Sequence, residues 1–437
     1  MDERGKSDEP NRSTWVGIVF GLWLAGVFAA SLAGRMDATS ANSVKLLILL
    51  TTALSWPVLY FTFGRCRFFP EWNGTGSVLA LLTFLMFCLL SSFGSPRPLD
   101  SAGYSILTAL TCWVVLQFTT NLDVSDYERG LKTYASVMFL LVGAFALYDY
   151  APGVRLGNGK GVLNPNTVGL VALSPLVAAM AIRFLPYRWL IMGAMGVVVY
   201  LTGSRGAAVA AIGSVAMTML IRLKIARART LVLAFIVLVV GVGVAVPYYD
   251  KLATGFDQFF AFHDRYRGIE TGGSGRFVTW QATWNLFLSS PILGVGFRAH
   301  EPLLKINSSA HNGYLALLTE IGMFGFAAAV FLTAVGLWRL GRHLKESSNV
   351  FLYSVLLGLA CGYLLLAVVE RYFINVGNPT SLLFLSCILI PKATERVGLS
   401  VRETKQDGAE RPAVLGVAAA PHQPGMAKEQ RAFPCLT

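Results

Sequence analysis

The chain has 437 residues, of which 54% are hydrophobic and only 14% are charged, and its mean hydropathy is +0.58. This composition excludes an ordinary soluble globular protein and predicts a polytopic membrane protein. The formal charge of +12 at pH 7 does not indicate a nucleic-acid-binding protein, because loop arginines that fix membrane topology explain it. The cysteines show no CxxC or Cys/His spacing, so neither a disulfide framework nor a metal site is predicted.

Apolar windows of about twenty residues predict an all-α fold with twelve membrane spans. The predicted spans cover residues 14–34, 43–64, 77–94, 104–119, 131–149, 167–183, 186–203, 205–222, 229–248, 313–338, 350–369 and 378–392. We interpret the first as an uncleaved helix and not as a signal peptide, because its removal would break the even count of spans.

The spans divide the chain into five segments. These are a cytoplasmic N-terminus at 1–13, spans one to nine at 14–248, a long outward-facing loop at 249–312, spans ten to twelve at 313–392, and a disordered cytoplasmic tail at 393–437. The division rests on loop charge, because Arg129, Lys132, Arg183 and Arg222 belong to a set of strongly basic loops. The positive-inside rule places that set and both termini in the cytoplasm, so the long loop and His311 face outward.

The long loop contains two parts with different properties. Residues 271–275 are rich in glycine and can bring backbone close to a ligand. After them Phe277, Trp280, Trp284 and Phe287 recur at helical spacing and predict a helix. The sequence leaves open whether these aromatic side chains lie at the membrane interface or form a small soluble core on top of the bundle.

Two arginines flanked by glycine are predicted to face outward. Arg205 follows Ser204 in a very tight joint between the seventh and eighth spans, where Ser204 is a candidate N-cap. Free backbone N–H groups and a guanidinium at one helix start make an anion site. Arg276, after the glycine stretch, offers a second planar fork for phosphate oxygens. Snorkelling at the interface explains either arginine alone, but together with His311 they indicate a functional site.

His311 lies near the N-terminus of a helix that is long enough to cross a bilayer. The helix dipole favours an uncharged imidazole there, which suits a general base. A ring that merely caps a loop carbonyl explains His311 equally well. Glu320 lies on the opposite helix face and more than two turns deeper, so we do not expect it to orient His311. We expect an arginine from a neighbouring span to pair with this intramembrane carboxylate.

These motifs resemble the bacterial O-antigen ligase and O-antigen polymerase superfamily. The resemblance rests on the Gly-Ser-Arg-Gly joint at 203–206, on Ser-Gly-Arg at 274–276 with the 291–297 segment, and on His-Asn-Gly-Tyr-Leu at 311–315 with Glu-Ile-Gly at 320–322. Asn164-Pro165-Asn166 resembles another recurring element of the family. The motifs cover roughly residues 160–330, and the layout of twelve spans with a large periplasmic loop between spans nine and ten is also similar.

The resemblance implies glycosyl transfer from an undecaprenyl-pyrophosphate-linked glycan to an acceptor hydroxyl, on the periplasmic face of the bacterial inner membrane and without a metal or other cofactor. Arg205 and Arg276 would neutralise the pyrophosphate, and His311 would take the acceptor proton in a displacement that inverts the anomeric carbon. Further residues are then expected to bind substrate, namely Ser204, Asn164, Asn166, Arg265, Arg267, Asn312, Tyr314 and Glu320.

The sequence leaves two alternatives to ligation open. Within the superfamily, ligation of O-antigen to lipid A-core is our first expectation and polymerisation of O-antigen or exopolysaccharide repeat units is the second, because the donor chemistry is shared. The segment Tyr266-Arg267-Gly268 resembles exopolysaccharide polymerases. A secondary transporter also fits twelve spans, but we find no internal repeat of the kind that such transporters show.

Overall fold

The computed structural model describes residues 9–36, 55, 58–59, 75–160, 163–225, 276–304, 310–346, 349–371, 373–374 and 379–389. Within these ranges the regular structure is helical and there is no strand, so the predicted all-α class is confirmed. The predicted spans at 43–64 and 229–248, most of the long loop and the tail at 393–437 lie outside the described residues.

The described helices overlap the predicted spans wherever both can be compared, although one of them contains a break. In chain order they are α1 (Glu9–Met36), α2 (Thr75–Leu90), α3 (Pro98–Asn121), α4 (Val124–Asp149), α5 (Pro165–Ala178), α6 (Leu185–Thr202), α7 (Arg205–Ile225), α8 (Arg276–Ser289), α9 (His300–Leu303), α10 (Gly313–Glu346), α11 (Val350–Ala367) and α12 (Pro379–Ile388). In the described part of the chain, seven helices are long and apolar enough to cross a membrane, namely α2 with the 3₁₀ turn that follows it, α3, α4, α6, α7, α10 and α11. The full count of twelve spans stays a prediction.

The contacts between loops agree with the predicted sorting by charge. Near the start of α4, the Glu128 carboxylate accepts hydrogen bonds from Arg183 at 3.5 Å and from Asn349 at 3.2 Å. The loops before α4, after α5 and before α11 therefore meet at one end of the bundle. The loops around Gly203, Arg276 and His311 meet at the other end. Which end faces the periplasm stays a prediction.

Close packing of α7 against α11 brings the candidate site together. A Cβ at Gly358 would overlap the side chain of Thr218, and a Cβ at Gly362 would overlap that of Ser214. Small residues four positions apart allow two membrane helices to approach at backbone distance. Because the two helices run antiparallel, this contact places the end of α11 beside Arg205 at the start of α7.

Helix α10 is broken, whereas the sequence predicted a continuous span at 313–338. Gly322 has φ 68° and ψ −178°, a conformation that essentially only glycine adopts. The segment that follows α8 docks at this break: Met323 N–H donates to Pro291 O at 2.9 Å, and Gly296 N–H donates to Glu320 O at 3.0 Å. These bonds satisfy backbone groups that the break would otherwise leave unpaired within a membrane span.

The helix predicted from the aromatic stripe is confirmed as α8. Its buried residues are Thr279, Thr283 and Phe287, whereas Phe277 and Trp284 are exposed. The stripe is thus partly exposed, and whether it lies at the membrane interface or covers a small core stays open. The threonine face packs on α10, because Thr319 Oγ1 donates to Thr283 O at 3.2 Å.

Candidate active site

One cavity of about 270 Å³ brings the three predicted catalytic residues together. Arg205, Arg276 and His311 line it, although more than 100 residues separate the first from the last. The remaining lining residues are Arg155, Asn166, Gly203, Ser204, Gly206 and Glu370. The fold thus assembles one polar cavity from α5, α7, α8 and the segments around His311 and Glu370.

Several helices begin at this cavity. Helix α7 begins at Arg205 and α8 at Arg276, and Asn166 lies in the first turn of α5. Ser204 directly precedes α7, and its carbonyl accepts the N–H of Ala208 at 3.0 Å. Helix N-termini carry partial positive charge and free N–H groups. Combined with the guanidinium groups, they make the cavity suited to an anion.

Glu370 is the acidic group among the described residues that line the cavity, and the sequence did not predict it. Its Oε1 accepts hydrogen bonds from Asn166 Nδ2 at 3.0 Å and from Arg276 Nη2 at 3.2 Å. Its Oε2 lies 3.7 Å from His311 Nδ1, which is an ion-pair distance and not a hydrogen bond. One signal for this residue was present in the sequence, because Glu370 and Arg371 are charged residues directly after an apolar helix.

His311 is held in an unusual backbone conformation. Its φ is +47°, in the left-handed region, where a residue other than glycine costs about 1–3 kcal/mol. The next residue, Asn312, caps α10, since its Oδ1 accepts the N–H groups of Tyr314 and Leu315, each at 3.0 Å. With Nδ1 directed toward Glu370, Nε2 is the ring nitrogen left to meet a substrate.

The other predicted substrate-binding residues differ in position. Asn166 and Ser204 line the cavity. Asn164 is the N-cap of α5, because its side chain accepts the N–H of Asn166. The Tyr314 hydroxyl donates to Leu364 O at 2.8 Å, and like Asn312 this residue is not part of the cavity lining.

Three predicted substrate-binding residues remain to be placed. Arg265 and Arg267 lie outside the described residues. Glu320 is buried and belongs to a separate cluster, in which its Oε1 accepts from Arg371 Nη2 at 2.7 Å and contacts His300 Nδ1 at 2.6 Å. The expected arginine partner of Glu320 is therefore present, although it comes from the segment after α11 and not from within a span. A substrate-binding role for these three residues stays a prediction.

The Glu320 cluster is a buried charge network behind the cavity. Arg371 also pairs with Glu301, and these carboxylates raise the pKa of Arg371 even though burial lowers it. Burial, followed by the charge of Arg371, holds the pKa of His300 below its ordinary value. This shift favours the uncharged imidazole, and because an ionised carboxylate only accepts, Nδ1 is the donor in the contact with Glu320.

Residues 190–330 match the model of the O-antigen ligase family. The match begins within α6, includes Arg205, Arg276 and His311, and ends within α10. The match supports the resemblance of this part of the chain to the O-antigen ligase-like superfamily. No curated protein matches the chain. Asn166 and Glu370 lie outside the segment that matches the O-antigen ligase family, and for Glu370 the structure alone provides the connection with its arginines and histidine.

Proposed function

We propose that the protein transfers a glycan from an undecaprenyl-pyrophosphate-linked donor to an acceptor hydroxyl at the periplasmic face of the inner membrane, as an O-antigen ligase does with lipid A-core. One observation carries this proposal: Arg205, Arg276, His311 and Glu370 line a single cavity at the start of two helices. The cavity combines groups that hold an anionic leaving group with a group that can accept a proton.

The arginines account for the donor side of the reaction. When the bond between the anomeric carbon and the pyrophosphate oxygen breaks, the electron pair stays on that oxygen. Guanidinium groups and helix N-termini stabilise the charge that develops there. Arg205 and Arg276 each lie in the first turn of a helix, so both sources of positive potential act at the same place. A divalent cation is not required for this step.

His311 and Glu370 account for the acceptor side. As the acceptor oxygen bonds to the anomeric carbon, its proton moves to His311 Nε2, and undecaprenyl pyrophosphate leaves from the opposite face with inversion. Glu370 on the Nδ1 side stabilises the imidazolium that forms and holds the ring in the correct orientation. Both proton and electron pair are then accounted for without another reactant.

The acceptor distinguishes the two functions within the superfamily. A ligase uses a hydroxyl of lipid A-core, whereas a polymerase uses a hydroxyl of a second lipid-linked repeat unit. The match to the O-antigen ligase family does not separate these two acceptors. We propose lipid A-core as acceptor, in line with the spacing of the sequence motifs, and retain repeat-unit polymerisation as the alternative outcome of the same assay.

The test uses full-length protein in liposomes with an undecaprenyl-pyrophosphate-linked glycan and either lipid A-core or further donor as acceptor. His311→Ala should lower transfer by about two to four orders of magnitude, the usual effect of a general base, while donor binding remains. His343, which stacks on Tyr353 at the opposite end of the bundle, provides the control His343→Gln, for which transfer should be retained. Absence of transfer by the wild type with any polyprenyl-pyrophosphate glycan would contradict the proposal, and loss of transfer on adding a chelator would contradict its metal independence.

A further inference from the structure

A loop beside the cavity is folded around a buried carboxylate. Asp149, the last residue of α4, is 1% exposed. Its carboxylate accepts the backbone N–H groups of Gly157 at 2.5 Å, Gly159 at 3.3 Å and Lys160 at 2.8 Å. A Cβ at Gly159 would overlap the carbonyl oxygen of Asp149, so the loop can approach this closely only with glycine there. Residues 150–160 therefore have a defined conformation that depends on Asp149.

This loop places Arg155 on the end of α6. Arg155 Nε donates to Thr202 O at 2.6 Å, and Nη2 donates to Gly203 O at 3.2 Å. The backbone is fixed as well, because Leu156 N–H donates to Leu201 O at 3.0 Å. Arg155 also lines the cavity. Its guanidinium group thus lies between the last carbonyls of α6 and the space in which we propose that the donor binds.

The position of Arg155 matters because α6 ends where α7 begins. The carbonyls at a helix C-terminus carry partial negative charge and repel an anion. At the cavity, the C-terminus of α6, which repels an anion, directly precedes the N-terminus of α7 at Arg205, which attracts one. Arg155 donates hydrogen bonds to the carbonyls of Thr202 and Gly203. Its full positive charge therefore outweighs the partial negative charge at the C-terminus of α6.

The charges of the cavity agree with this role. Arg155, Arg205 and Arg276 contribute three positive charges, and Glu370 contributes one negative charge. A pyrophosphate that links two groups carries a negative charge on each phosphate. The described lining residues therefore match the two negative charges of this pyrophosphate only when Arg155 is included. A monophosphate that links the same two groups carries one negative charge, so it gains less from the third guanidinium group.

We propose that Arg155 is a third donor-binding residue, which makes the site selective for pyrophosphate over monophosphate, and that Asp149 is a positioning residue that acts through the 150–160 loop. The proposal rests on the proposed function, because it concerns the leaving group of that reaction. It adds a residue and a specificity that neither the resemblance nor the match to the O-antigen ligase family assigns.

The test compares binding of an undecaprenyl-pyrophosphate-linked glycan and of the same glycan linked through a monophosphate to purified full-length protein. The quantity compared is the ratio of the dissociation constant for the monophosphate to that for the pyrophosphate. In the wild type this ratio should exceed one, because the pyrophosphate is preferred. Arg155→Gln should weaken pyrophosphate binding by about tenfold to a hundredfold, the range for a lost charge-assisted hydrogen bond, and monophosphate binding much less. Asp149→Asn should shift the ratio in the same direction by a smaller factor. If Asp149 acts through Arg155, the double variant should have the ratio of Arg155→Gln alone.

Lys160 provides the matched control. It is a cation of the same loop, but its ammonium group lies over the ring of Tyr148, 3.8 Å from the centroid, and it is not part of the cavity lining. Lys160→Gln should leave the ratio unchanged. If Lys160→Gln changed the ratio as much as Arg155→Gln does, the preference for pyrophosphate would depend only on the overall positive charge of the loop. That result would overturn the proposal.

The remaining outcomes are also decisive. Arg155→Gln with a wild-type ratio, or with equal loss for both lipids, overturns the proposal, as does an additive effect of Asp149→Asn. If Arg155→Gln does not fold, Arg155→Lys decides, because a single ammonium group cannot reproduce both carbonyl contacts: a lowered ratio supports the proposal and a wild-type ratio overturns it. Failure of the proposed function looks different, since the wild type itself would then bind neither lipid.

Discussion

Glu370 and Arg371 are neighbours in the chain, yet their side chains belong to two different clusters. Glu370 faces the cavity and contacts Asn166 and Arg276. Arg371 points into the protein and binds Glu320. Because the buried ion pair holds the backbone at residue 371, it also fixes the position of the preceding carboxylate. The charge network behind the cavity thus supports the acidic group within it.

We predict that Glu370→Gln lowers kcat by about tenfold to a hundredfold, because the charge that stabilises protonated His311 is lost. KM for the donor should not rise, since removing a negative charge does not weaken binding of an anion. Steady-state transfer assays give both constants. Glu301→Gln is the matched control: it removes a carboxylate from Arg371 and should affect stability more than kcat. A raised KM with unchanged kcat in Glu370→Gln would contradict the assigned role.

For the two predicted pyrophosphate ligands, lysine should not replace arginine. Arg276→Lys and Arg205→Lys should impair transfer nearly as much as the alanine variants, by at least about tenfold, because an ammonium group cannot reproduce a bidentate guanidinium contact. Initial rates at saturating acceptor measure the effect. Wild-type turnover in a lysine variant would mean that the arginine at that position supplies only general positive charge.

Two substitutions at His311 should differ in stability but not in activity, because of the backbone conformation there. Glycine adopts a φ of +47° without the strain that a Cβ introduces, at a difference of about 1 kcal/mol. We therefore expect His311→Gly to have a higher thermal midpoint than His311→Ala, although both should lack the general base and transfer equally poorly. Thermal unfolding in detergent makes the comparison. Equal midpoints would show that the strain does not contribute to stability.

The lowered pKa of His300 predicts how stability changes with pH. The folded protein keeps His300 uncharged, whereas the unfolded chain protonates it near pH 6.5, so below that pH the unfolded state binds more protons. The contribution of His300 to the free energy of unfolding should be fully present above about pH 6.5. It should decrease toward pH 5, by at most about 1.4 kcal/mol per pH unit. Thermal midpoints across this range test it. The slope should flatten in His300→Gln, and an unchanged slope would assign it to other groups.

Cysteine labelling tests the orientation in the membrane. Asn158 and Lys345 are exposed and lie at opposite ends of the bundle. A membrane-impermeant maleimide should label Asn158→Cys in intact spheroplasts and Lys345→Cys only after permeabilisation, each relative to the parent protein. The reverse pattern would place His311 on the cytoplasmic side and rule out a periplasmic reaction.

Sequence was sufficient for the parts of the fold that follow from local patterns. Apolar windows located the described long apolar helices, and glycine-flanked arginines with a histidine before a helix singled out Arg205, Arg276 and His311 as candidates. Each of these signals lies within a few residues along the chain. They predicted the chemistry of the cavity although they could not show that it exists.

The residues that sequence did not reveal depend on contacts between distant segments. Glu370 meets Asn166 across 204 positions, and no local pattern encodes that contact. No sequence motif marks Arg155, since its proposed role depends on the carbonyls of Thr202 and Gly203. The break at Gly322 was also missed, because the apolar period continues through it and only the docked 291–296 segment explains it.

The break in α10 has a consequence for engineering. Since Pro291 and Gly296 bond to the backbone at Met323 and Glu320, and a Cβ at Gly294 or Gly322 would overlap the backbone of the other segment, the two stretches form one interlocked piece. A chimera that exchanges the loop after α8 with a relative should fail unless the first turns of α10 are exchanged with it. Grafts meant to change acceptor preference should therefore carry residues 290–323 as a single cassette.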